Sequence, residues 1–199
     1  MDTITQTVDP RRLAAYAAAS SICADRYAKA FYPMTKDADE KMICCVHGGE
    51  QMAHYIAATE TLRGLGVDLG NLTERPLTER GLDGVGTLAT TANWTERAVF
   101  SALFERAVTF VLRELATSGH PATAAMANFA TPRVERHAAH GLRLLRAMCA
   151  SEDGRAEAQA AVRRAWSAAL ALLGTGRSRG GFVQAVRDEL SGLGLVAPE

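Results

Sequence analysis

Six residues in this chain combine types and spacings that suit chemistry. His47, Glu50 and His54 stand three and four residues apart, so on a helix they share one face. His137 and His140 are again three apart, and Glu105 lies between the two groups in sequence. An imidazole titrates near neutral pH and serves as general acid or base, while a carboxylate orients it or is itself tuned by burial. The same side chains also ligate metals. The competing reading makes each histidine an ordinary hydrogen-bonded core residue. The candidate catalytic set is His54, His137, Glu50 and Glu105. His47 and His140 fall at the edges of their polar faces, where solvent is within reach, and His120, after the Gly119 helix stop, is expected to be dispensable.

Helices must position these groups. Asp9-Pro10 reads as an N-cap followed by proline at N1 and opens a helix over about 11–31, closed by Tyr32-Pro33. Asp37-x-x-Glu40 resembles a capping box, and the second helix runs to about Arg63, with Gly64 and Gly66 as stops. Residues 66–92, rich in Gly, Thr and Asp, read as a long connection. Asn93-x-x-Glu96 starts a third helix that ends at Gly119, and a fourth begins near Pro121. Pro132 should break or kink that fourth helix, which restarts and runs to about Ala150. Helices over about 156–173 and 182–190 complete the chain.

On the second helix Ile43, Ala57, Ala58 and Thr61 extend the His47–Glu50–His54 face, which marks it as the inward one. His137 lies on the stripe Val134, Gly141, Leu144, Leu145 and Met148. Glu105 falls on the stripe Ala102, Val108, Thr109, Leu112, but Phe100, Leu103, Phe104, Ala107 and Val111 form a rival apolar face that would leave it outside. A helix apolar on both sides must be covered on both, which predicts a homodimer, or a heterodimer with a related chain, through the second and third helices.

Composition narrows the function classes. The 199 residues suit one domain, with a bundle core over about 10–150 and C-terminal helices over about 155–199. Lys plus Arg and Asp plus Glu both count 22, so the formal charge is zero. That balance argues against nucleic acid or an anionic membrane as partner and leaves a small-molecule substrate. No leader-like or spanning segment stands out, so the expected compartment is the cytoplasm. Cys23, Cys44, Cys45 and Cys149 lack metal-site spacing and read as small buried thiols. Two helix pairs joined by a long crossover give an all-α, ferritin-like four-helix bundle with extra C-terminal helices.

Three stretches resemble the catalytic subunit of the bacterial phenylacetyl-CoA oxygenases, a ferritin-like di-iron family. They are EKMICCVHGGEQMAHYIAATETLRGLGVD, the pair NWTERAVFSALFERAVTF and PRVERHAAHGLRLLRAM, and AWSAALALLG with the ending LSGLGLVAPE. The resemblance implies two irons held by a Glu from each of two helices and a Glu-x-x-His from each of the other two. Carried over by position, His54 and His137 match the histidines, but Gln51 and Val134 stand three residues before them. The first-helix Glu falls near Ser20 or Ser21, with Asp25 the nearest acid. Glu50 is one place off, Glu135 is displaced, and Glu105 alone is a retained carboxylate. The expectation is therefore no complete di-iron site and no cofactor. The leading reading is an acid–base enzyme in the former metal cavity, diverged for a biosynthetic pathway of a GC-rich bacterium. The alternatives are an iron-dependent oxygenase using Glu50, His54, Glu105 and His137, and a non-catalytic partner subunit.

Overall fold

The computed structural model describes residues 9–82 and 91–199 and forms six helices, with no strand among the described residues. Helix α1 spans Pro10–Arg26 and continues through a π-helical turn, Tyr27–Phe31, into a last turn, Tyr32–Met34. Helix α2 spans Ala38–Gly64. Helix α3 spans Trp94–Val99, passes through a π-helical segment, Phe100–Glu105, and resumes over Arg106–Ala116. Helices α4, α5 and α6 span Pro121–Met148, Glu152–Leu173 and Ser178–Ser191.

The starts follow the capping chemistry. Asp9, Asp37, Asn93 and Ser151 each accept a backbone N–H of the first helical turn through their side chains. His120 does the same for α4, accepting the Thr123 N–H at 3.3 Å. It is a cap, and so it has a structural role that its place after Gly119 did not reveal.

Pro132 does not divide the fourth helix, which is a single element from Pro121 to Met148. Proline strips the ladder of one N–H, and side chains take up neighbouring carbonyls. Thr131 donates to Ala127 O at 2.7 Å, and Arg133 donates to Phe129 O at 2.7 Å. The long connection holds two short 3-10 turns, Leu72–Glu74 and Leu77–Glu79, and residues 83–90 of it lie outside the described residues.

Helix α1 packs chiefly on α2, and α3 chiefly on α4, while α1, α5 and α6 also contact α3. The third helix is therefore central, and both of its apolar faces are covered within the chain. Phe100, Leu103, Phe104, Ala107 and Val111 are buried, and so is Glu105. The two rival faces do not compete, because both lie inward, and the outer edge of the helix is made by Arg106, Phe110 and Arg113. Large apolar side chains reach solvent instead along the outer side of α2, at Met42, Val46, Met52 and Ile56. Cys45 is likewise exposed, while the other three cysteines are buried as expected, and all four are free thiols. No described helix is long and apolar enough to cross a membrane.

Helices α3 and α4 approach tightly at Gly141. A Cβ there would come within 2.4 Å of the Ser101 Cβ and 2.6 Å of the Ala102 nitrogen. Gly49, on α2, has nothing within 4 Å of such an atom. Gly141→Ala should thus cost ~1–3 kcal/mol through overpacking. Gly49→Ala should be neutral or stabilise by up to about 1 kcal/mol through helix propensity. Urea denaturation of both variants checks this pair, and a Gly141→Ala protein as stable as the parent would refute the close approach.

Candidate functional site

Glu105 is fully buried in the π-helical segment of α3. A bare carboxylate there would be prohibitively costly, so its neighbours must supply charge and donors. Tyr27, at the π turn of α1, donates its hydroxyl proton to Glu105 Oε2 at 2.7 Å. Gln51 Nε2 donates to Oε1 at 2.9 Å, and His137 Nδ1 approaches the same oxygen at 3.2 Å. The two nitrogens on Oε1 lie 3.3 Å apart because both point at one acceptor. The other His137 nitrogen, Nε2, meets Glu50 Oε2 at 2.7 Å. An imidazole with a carboxylate at each nitrogen donates from both, which is the imidazolium form.

Burial disfavours charge on His137, but hydrogen bonds and attraction from Glu105 and Glu50 outweigh it and raise its pKa. Burial likewise works to raise the Glu105 pKa. It is overcome by His137, by His47 and by the Tyr27 hydrogen bond, which bring the carboxyl down to about 2. Each partner holds the other charged.

His47 stacks on this cation, with ring centroids 3.8 Å apart at 27°. Its Nδ1 lies 3.2 Å from the Tyr27 oxygen. Since Tyr27 gives its proton to Glu105, that contact is a donation from His47 Nδ1–H. Ser101 Oγ sits 3.0 Å from the same oxygen and supplies the second donor. Burial first, and then the His137 charge, lower the His47 pKa to about 3, so the ring is neutral. Nε2 has no hydrogen-bond partner among the described residues, and the ring helps wall a cavity of about 240 Å³ between α2 and α4. His140, one turn beyond His137, joins the same wall and meets Glu40 Oε2 at 3.1 Å. His47 and His140 are thus buried parts of the network rather than edge residues in solvent.

Of the four leading candidates, the structure brings together Glu50, Glu105 and His137. His54 stands apart. It is 1 % exposed, and neither of its ring nitrogens has a hydrogen-bond partner among the described residues. Burial and the His137 charge lower its pKa to about 4. Glu135 pairs with Arg113 at 2.7 Å, and Asp25 with Lys29 at 2.6 Å, so both acids face away from the centre. Tyr27, Gln51 and His137 pack together around Glu105 at the centre, and an apolar groove of about 430 Å³ lies against Tyr27, Gly48 and Met52.

The donor set does not fit two irons. Both His137 nitrogens are taken as donors and both Glu105 oxygens already accept, while Gln51 presents an amide N–H where a carboxylate is required. Among the described residues no group of three or more His, Cys, Asp or Glu is placed to hold a metal.

Sequence reasoning missed Tyr27 and Arg97. Tyr27 shares helical spacing with Ser20 and Cys23, and Arg97, Ser101 and Glu105 are four residues apart on one face of α3. The fully buried Arg97 guanidinium lies over the rings of Trp94, Tyr27 and Phe31 at 5.0, 5.8 and 5.9 Å. No family model matches the chain, and no curated protein is significantly similar to it.

These charge states dictate a stability profile. Unfolded histidines take up protons below 6.5, whereas His47 and His54 stay neutral until about 3 and 4. Stability should therefore fall as pH drops below 6.5, and fall further below 4.5, where the unfolded carboxyl of Glu105 protonates before the folded one. Above 6.5 the raised pKa of His137 retains a proton the unfolded chain has lost, so stability should fall again as pH rises through that value. A maximum near 6.5 is expected from urea midpoints measured across this range. His137→Gln should abolish the alkaline decline and cost ~3–5 kcal/mol by stranding Glu105. A flat alkaline limb in the parent would contradict the imidazolium.

Proposed function

We propose that this chain is a small-molecule enzyme on a ferritin-like bundle, diverged from the phenylacetyl-CoA oxygenase fold and working by proton transfer rather than at two irons. The observation that carries the reading is the path Glu105–Tyr27–His47. A buried carboxylate fixes a phenol, the phenol oxygen fixes His47 Nδ1–H, and Nε2 is left free beside a cavity. That is the logic of an oriented imidazole base.

His47 Nε2 takes a proton from bound substrate. The charge that develops on the ring is met by the Tyr27 oxygen at Nδ1 and, through Tyr27, by Glu105. The neighbouring His137 cation makes the protonated ring a strong acid, so it gives the proton back to the product readily. A base this weak needs a substrate carbon already activated by a neighbouring carbonyl or similar group. Isomerisation, dehydration, cyclisation and condensation follow from one proton removed and one delivered. The catalytic assignment thus shifts from His54 to His47, with Glu105 and Tyr27 orienting it, and Glu50 and His137 setting its charge. A dimer belongs to the same reading, supported by the apolar outer side of α2.

Incubating the protein with a small-molecule extract of its own cells, followed by mass spectrometry, tests this. The expected product has the mass of a consumed compound, is lighter by one water, or joins two consumed compounds with or without loss of water, and His47→Ala abolishes its formation without unfolding the protein. A product heavier by one oxygen would favour the oxygenase. No conversion, together with co-purification of a second ferritin-like chain, would favour the partner subunit.

A further inference from the structure

The cavity beside His47 is bordered by Ile43, His47, Arg136, Ala139, His140 and Arg143. Among the described residues no carboxylate stands in that wall, and Glu50 and Glu40 are engaged beside it. Glu50 accepts from Arg136 at 2.9 Å and from His137 Nε2 at 2.7 Å. Glu40 takes the Nε2–H of His140 at 3.1 Å. With its Nε2 donating, His140 accepts at Nδ1 from Arg143 at 2.9 Å, which fixes its tautomer and spends one N–H of the Arg143 fork.

Cations outnumber anions around this space. Behind His140, Arg97 is fully buried, none of its three nitrogens has a hydrogen-bond partner among the described residues, and Glu40 lies 3.9 Å away. Arg133 adds a further charge, 3.7 Å from Glu50. Four guanidinium groups and the His137 cation thus face Glu40, Glu50 and Glu105. In a concave site such an excess concentrates positive potential. Guanidinium forks match the oxygens of carboxylates and phosphates. A cavity of 240 Å³ is below the ~300–1,000 Å³ that holds drug-sized ligands, so the fitting ligand is a small metabolite.

We propose that this pocket binds the oxyanion group, carboxylate or phosphate, of a small organic substrate through Arg136 and Arg143, setting its reacting carbon beside His47 Nε2. The proposal deepens the acid–base reading and rests on it for the role of His47. Arg136 and Arg143 are then specificity-determining residues, and uncharged analogues of the substrate are rejected.

Isothermal titration at low ionic strength with inorganic phosphate, glutarate and uncharged glutaramide tests it. Phosphate or glutarate should bind saturably with one site per chain, and glutaramide should not. Arg136→Gln and Arg143→Gln should each weaken binding at least about tenfold, the loss of one charge-assisted contact. Both side chains are solvent-exposed, so circular dichroism should be unchanged. His47→Ala should keep anion affinity within about threefold. Arg146→Gln, an exposed cation further along α4, should leave it unchanged. No saturable binding of either anion, or an equal loss in Arg146→Gln, would overturn the proposal. The extract conversion reads the base separately: an uncharged substrate whose turnover His47→Ala abolishes would keep the acid–base reading and overturn this one.

Discussion

A carboxylate without water must be neutralised by whatever packs around it, and Glu105 imposes that demand at the centre of this bundle. Its oxygens accept from Tyr27, Gln51 and His137, which come from three other helices. The donor that carries charge is His137, and it is held charged in turn by Glu50 on the far side. Removing His137 strands Glu105 in low dielectric, where an unpaired charge costs several kcal/mol. The helices are therefore fixed in register by electrostatics as well as by apolar packing.

Backbone geometry accommodates that centre. Two π-helical segments occur among the described residues, and they carry the residues that meet: Tyr27 in one, Ser101 and Glu105 in the other. Wider turns of this kind recur at functional sites because they re-aim side chains out of the α-helical register. Gly141 lets α4 press directly on the second of them. With the middle closed, His47 and His140 are the histidines of the network that border a cavity, and the proposed proton chemistry is assigned to His47. The buried charges then act as supports that set its tautomer and its proton affinity.

Helix boundaries and the all-α class were legible in the sequence because caps, prolines and glycines act locally. Asp9, Asp37 and Asn93 cap where they were expected to. Glu50, Glu105 and His137 were legible as a group because buried polar residues at helical spacing are costly without partners. His47 was placed at the edge of its polar face, yet it is buried and stacked on His137, because Tyr27, whose polar tip the spacing does not announce, covers it from the π turn of α1. Tyr27 and Arg97 were passed over because an aromatic ring and a long aliphatic stem look like ordinary core or surface residues until their polar tips are located. Pro132 misled because neighbouring side chains, unknown in advance, take up nearby carbonyls and let the helix run through.

The central claim is that an imidazolium at His137, and not a protonated Glu105, neutralises the buried centre. Nitrogen-15 NMR of the histidine side chains at about pH 7.5, where a free imidazole is neutral, addresses it directly. The account predicts protons on both ring nitrogens of His137 while His47 stays neutral with its proton on Nδ1. A neutral His137 with a single protonated nitrogen at that pH would contradict it.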